Sequence, residues 1–160
     1  SGHGANLSAH ATLILGKEFT NHSRMKMAEY RKPLPLPDLD SQAFWDSCRN
    51  HAMALQQCTA CKRFRYPPRP LCPHCHNPTA EWQSVSGKGR VYVTLVMCRS
   101  PGSVWEQDVP YNISMIELDE GVRIWSNVIG CPPENVKIGD PVAIAYEDVT
   151  DSFSLPKFTL

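Results

Sequence analysis

The stretch "CTACKRFRYPPRPLCPHC", Cys58 to Cys75, decides how the rest of the chain is read. It holds four of the seven cysteines as two Cys-x-x-Cys pairs, with ten residues between Cys61 and Cys72. A Cys-x-x-Cys turn presents two sulfurs from one side. Two such turns at the ends of a short excursion can close a tetrahedron of thiolates around Zn²⁺. Pro73, inside the second pair, helps fix that turn. A redox centre needs only one pair, usually in a βαβ setting that this chain lacks. The spacing therefore predicts a structural zinc ribbon with Cys58, Cys61, Cys72 and Cys75 as ligands. Four protein ligands leave no open position for water, which argues against catalytic zinc. His74 and His76, in and beside the second pair, read as bystanders.

The same stretch carries Lys62, Arg63, Arg65 and Arg69, which invites a nucleic-acid reading. Four thiolates on one Zn²⁺ leave a charge of −2, and nearby cations offset it. A nucleic-acid module usually has a domain pI above about 9 with aromatics interleaved among its charges. This chain has sixteen basic and sixteen acidic residues and a pI near 7.0. The balance hides an asymmetry: residues 1–103 carry 13 Lys/Arg against 6 Asp/Glu, and residues 104–160 carry 3 against 10. A dipolar layout of this kind can steer an acidic partner to one end. Single-stranded nucleic acid is kept as the alternative partner, disfavoured by the acidic second half.

Outward from the ribbon, "RKPLPLPDL" (Arg31 to Leu39) alternates proline with leucine and predicts a stiff, extended arm on the surface. Asp40 or Ser41 can cap a helix through "SQAFWDSCRNHAMAL", residues 41–55. Phe44, Cys48 and Ala52 recur at helical spacing beside Trp45, so that stripe is the packed face and Cys48 a core residue. His51 is expected to complement the helix dipole. After Glu81 the pattern turns to β-branched and aromatic residues. Strands are predicted in "GKGRVYVTLVM", with a kink or bulge at Gly87–Gly89, then "PYNISMIEL", "VRIWSNVIG", "VAIAYEDV" and a short "KFTL". "DEG" (Asp119 to Gly121) makes a hairpin turn. Four or five short strands joined by Gly/Pro turns predict a small closed barrel. The organisation expected is residues 1–24 as an expression remnant or disordered extension, with natural starts at Met25 or Met27. It continues with 25–55 as arm and helix, 56–82 as ribbon and 83–160 as barrel.

Catalytic signatures are scarce: no Gly-x-Ser-x-Gly, His-Glu-x-x-His, P-loop or post-strand GxGxxG occurs. Cys98, ending the first barrel strand, and Cys131, in the Gly-Cys-Pro-Pro loop, lack an assigned histidine to activate them. Glu106, Asp108 and Asp119 read as solvated loop carboxylates. No catalytic residue is assigned and the chain is expected not to be an enzyme. With neither a secretion signal nor an apolar run of about 18 residues, a reducing, cytoplasmic setting is expected.

The order "FWDSC…LQQCTACKRFRYPPRPLCPHC…SGKGRVYV…PYNISMIELDEGVRIWSNVIG…IGDPVAIAYED" resembles the acyl-CoA-associated family long filed as domain of unknown function number thirty-five. Its members join a rubredoxin-like zinc ribbon to a C-terminal OB-fold, so the resemblance implies a mainly β chain with an N-terminal helix, ribbon and five-stranded barrel. The match spans roughly Leu36 to Phe158, and the zinc cysteines carry over to Cys58, Cys61, Cys72 and Cys75. Rubredoxin-type cysteine sets can also take iron. The resemblance further implies a non-catalytic scaffold subunit. It would sit beside a thiolase-like enzyme, a sterol side-chain aldolase or a MaoC-like hydratase of lipid or steroid metabolism, with acyl-CoA as a possible ligand. Tyr66, Trp105, Tyr111 and the Pro67–Pro70 segment would then be contact points. The family usually places glycine after the first cysteine pair, where this chain has Lys62. His76 and Asn77 follow the second.

Overall fold

The computed structural model describes residues 30–160. The expectations for residues 1–24 and for starts at Met25 or Met27 lie outside the described residues. The arm is extended, as its prolines require, and is anchored by an ion pair between Lys32 Nζ and Asp108 Oδ2 at 2.6 Å. Asp108 is therefore not a free loop carboxylate. Leu36 and Leu39 project into solvent beyond that anchor.

Helix α1 spans only Gln42–Arg49, shorter than the 41–55 predicted. His51 adopts a left-handed φ of 54°. Strand β1 (Ala54–Cys58) begins soon after. Residues 52–55 are good helix formers, but tertiary contacts override them. Ser47 Oγ accepts the Ala54 N–H at 3.0 Å, Met53 N–H donates to Tyr146 Oη at 2.9 Å, and Val85 N–H donates to Met53 O at 3.1 Å. Phe44 and Cys48 do face the core, at 1% and 0% exposure, whereas Ala52 is exposed. Burial pushes the Cys48 thiol up to about 12, consistent with a packing role. His51 lies beyond the helix end. It stacks on Tyr146 with ring centroids 4.7 Å apart and bonds Asp148 at 2.7 Å.

β1 is the centre of a three-stranded sheet, flanked by β2 (Phe64–Arg65) and β3 (Ala80–Ser84). The barrel follows as β4 (Lys88–Met97), β5 (Tyr111–Leu118), β6 (Arg123–Ser126), β7 (Pro141–Thr150) and β8 (Phe153–Thr159). Its strand order is β6-β5-β4-β7-β8, all antiparallel. A parallel bridge from Val128 to Phe158 brings the two edges together and nearly closes the barrel. Asn112, 3% exposed, supports that closure: its Nδ2–H donates to Val128 O at 2.6 Å and its Oδ1 accepts the Val128 N–H at 2.8 Å.

The bulge in β4 falls between Val91 and Val93, not at the glycines. Gly87 and Gly89 serve close approach instead. A Cβ at Gly87 would sit 2.3 Å from Ile144 Cγ2, and one at Gly89 would sit 2.3 Å from Glu117 O. Absence of a side chain lets one end of β4 pair with β5 and β7 together. Residues of α1, β1 and the barrel share one core, including Phe44, Cys48, Met53, Leu55, Val91, Ile116, Leu118, Ile124 and Phe158. Helix α1 links the two sheets through Phe44 on Tyr66 (5.3 Å) and Trp45 on Phe153 (4.9 Å).

Candidate metal centre and barrel surface

The four cysteines of the opening stretch converge: their sulfurs all lie within 4.8 Å of one another. Cys58 and Cys75 are 3.5 Å apart, Cys61 and Cys72 3.6 Å. Both knuckles are built alike. Lys62 N–H donates to Cys58 O at 3.0 Å and His76 N–H to Cys72 O at 2.9 Å. Each turn ends on a left-handed residue, Lys62 at φ 58° and His76 at φ 59°. A second backbone bond closes each knuckle, Cys58 N–H to Arg63 O and Cys72 N–H to Asn77 O, both 3.0 Å, and Thr59 N–H to Thr79 O at 3.2 Å ties the two segments together.

Local electrostatics favour thiolate. The Cys61 backbone N–H, directed at Cys58, brings that thiol down to about 6. The His74 N–H lowers Cys72. Cys75 moves the other way, to about 11: the Asn77 N–H lowers it, but burial and hydrogen bonding to the other three thiols outweigh that. Without a cation the group resists full ionisation; a divalent metal resolves the conflict. Four clustered sulfurs with inward backbone N–H groups fit a structural Zn²⁺. His74 and His76 are exposed, and neither belongs to the cluster. His74 Nδ1 instead receives Arg63 Nη1–H at 3.1 Å.

The remaining predicted residues scatter. Tyr66 is half-buried against the core, and burial pushes its hydroxyl up to about 12. Trp105 and Tyr111 line a pocket of about 410 Å³ that also includes Cys131 and Lys157. Burial lowers the Lys157 ammonium, which bonds Asn127 Oδ1 at 2.5 Å. Cys98 is exposed at the end of β4.

Two features escaped the sequence reading. One is the outer face of β4, β5 and β6. The register sets Leu95 opposite Ile113 and Val93 opposite Met115, with Met115 also opposite Trp125. Leu95 and Trp125 are 44% and 54% exposed, and Tyr92 nearby is 46% exposed beneath the Arg123 guanidinium, 3.5 Å from its ring. Only the alternation of β5 hinted at this, since one face of it had to point outward. The other is Arg65, which is 4% exposed with Nε–H donating to Gln56 Oε1 at 2.7 Å.

Among the described residues no helix is long and apolar enough to cross a membrane. Residues 45–80 match the ChsH2 rubredoxin-like zinc ribbon family, and residues 82–147 the ChsH2 C-terminal OB-fold family. A DUF35 domain-containing scaffold protein of Methanocaldococcus jannaschii is 36% identical over 96 residues, 59% of this chain and 67% of the relative. A probable enoyl-CoA hydratase alpha subunit of Thermomonospora curvata is 33% identical over 129 residues, 79% of this chain. The chain spans only 39% of that subunit's length. The solved Ltp2-ChsH2(DUF35) aldolase contains a chain that superposes with a TM-score of 0.71 at 31% identity, covering 79% of this chain and 98% of that one. Matching ribbon, barrel and cysteine cluster together place this chain in the DUF35 family of ChsH2-type zinc-ribbon and OB-fold proteins.

Proposed function

We propose that this chain is a non-catalytic accessory subunit, and that it assembles with an enzyme acting on acyl-CoA thioesters, either an aldolase, a thiolase-like enzyme or a hydratase. Cys58, Cys61, Cys72 and Cys75 hold a structural Zn²⁺ that fixes the ribbon against the barrel. The observation that carries the reading is the apolar outer sheet face around Leu95, Met115 and Trp125. Exposed aromatic and aliphatic side chains clustered on one regular face suit a protein partner. Two relatives support the choice of partner, one named a hydratase alpha subunit and one solved as an aldolase complex. Acyl-CoA reaches the complex as the enzyme's substrate, and the accessory chain shapes the channel or the assembly.

Co-expression with a thiolase-, aldolase- or hydratase-type enzyme of the same organism tests this. A stable hetero-oligomer on size exclusion is expected. Separate elution, together with full activity of the enzyme alone, overturns it.

A further inference from the structure

Strand β3 is one edge of the ribbon sheet and pairs with β1 alone. Its register runs unbroken from Cys58 opposite Ala80 to Ala54 opposite Ser84. The same register continues past both ends, where Val85 N–H donates to Met53 O at 3.1 Å and Thr59 N–H to Thr79 O at 3.2 Å. Bonded pairs fall on every second residue of an antiparallel ladder, so Glu81 and Gln83 are the residues that bond β1. Ala80, Trp82 and Ser84 therefore turn their N–H and C=O groups outward. No backbone partner meets those groups among the described residues. Glu81, Trp82, Gln83 and Ser84 are exposed as well.

An open edge is a template for another strand, and folds usually guard one with lysine, proline or a bulge. β3 carries none of these. Its sequence, Ala-Glu-Trp-Gln-Ser, also complements itself. In an antiparallel pair of two β3 strands with the two-fold axis at Trp82, the outward groups of Ala80 meet those of Ser84, and Trp82 meets Trp82. Each such pair exchanges two backbone bonds. Between them Glu81 faces Gln83, a carboxylate against an amide, and the two indoles lie side by side. An axis at Glu81 loses a bonded pair and sets two carboxylates against each other. An axis at Gln83 also loses a bonded pair. We propose that β3 is a dimerisation edge, and that a second copy of this chain adds its own β3 there, joining the two ribbon sheets isologously about Trp82. The contact uses none of the apolar barrel residues Leu95, Met115 and Trp125 and needs no enzyme partner. Centred on one short strand, it is a small interface with a dissociation constant on the order of 10–100 µM.

The test is analytical ultracentrifugation of the full zinc-loaded chain, without enzyme, from about 1 to 500 µM. A monomer–dimer equilibrium is expected, with hydrogen exchange at the Trp82 amide slowing as the dimer fills. Gln83→Glu places a carboxylate against Glu81 on both sides of the axis and is expected to weaken the dimer about threefold or more. Gln83→Lys makes both contacts ion pairs and is expected to tighten it by a similar factor. Trp82→Lys sets two ammonium groups at the axis and is expected to abolish the dimer in this range. Zinc content reports folding, and if Trp82→Lys loses zinc, the exposed Gln83 variants decide. A monomer at the highest concentration overturns the proposal. So do Gln83 variants that leave the affinity unchanged or move it in one direction. Slow Trp82 exchange in the monomer overturns it too, by showing that residues 1–29 cover the edge. A dimer broken by Trp125→Glu and kept by zinc-replete Trp82→Lys overturns it in favour of the barrel face.

Discussion

Lys62 and His76 close the two cysteine knuckles in a left-handed conformation that costs a residue with a side chain roughly 1–2 kcal/mol. Glycine relieves most of that strain. Lys62→Gly is expected to raise the melting temperature by about 2–4 °C, read by calorimetry at constant zinc. Replacing a cysteine acts in the opposite direction. Cys72→Ser is expected to lose stoichiometric zinc on metal analysis and to expose residues 54–84 to protease, because zinc contributes on the order of 10 kcal/mol in such motifs. A subtler residue effect lies at Asp148. Its carboxylate accepts Ser154 Oγ–H at 2.5 Å and His51 Nε2–H at 2.7 Å, and these bonds, Ser154 first, hold it below its ordinary value of 3.8. A carboxyl depressed by folding adds stability above pH 3.8, and that stability is lost as the pH falls through the lowered value. Asp148→Asn is therefore expected to unfold at lower urea at pH 7 and to match the parent once the pH has fallen below that lowered value. Half-exposure keeps the difference at pH 7 under about 1 kcal/mol.

At the scale of elements, what could be read in advance was whatever local chemistry alone decides. The alternation in Tyr111–Leu118 gives strand β5 its strict inner and outer faces. Turn residues set the hairpin at Gly121, whose φ is 80°. Helix α1 was overextended because Ala52, Met53, Ala54 and Leu55 favour helix in isolation; Ser47, Tyr146 and Val85 capture their backbone instead. The ribbon strands β2 and β3 were not legible, since two to five residues carry too weak a pattern. The glycines of β4 were recognised as special, but for the wrong reason, because a bulge and a close approach leave the same mark on a sequence. Gly89→Ala tests the distinction. Its Cβ would meet backbone at 2.3 Å, so a loss of about 3 kcal/mol is expected by urea titration. Gly121→Ala meets nothing within 4 Å, and only its backbone strain, about 1 kcal/mol, should register.

The whole molecule behaves as one unit because Met53 and Leu55 at the ribbon's edge share a core with the barrel residues Ile116 and Phe158. One cooperative calorimetric transition is expected. A chelator should shift it downward without splitting it in two. The outer face gives a matching prediction for assembly. Trp125→Glu is expected to abolish co-purification with the enzyme partner while changing the melting temperature by less than about 2 °C, since the side chain is half exposed. Cysteine spacing, strand alternation and turn residues are local chemical facts, and they were enough to read the four-cysteine cluster, the mainly β architecture and the family. Folding alone settles where α1 stops, which face of the barrel stays apolar and open, and that Arg65 is buried. Each of those depends on contacts between segments distant in the chain, and no local pattern records them.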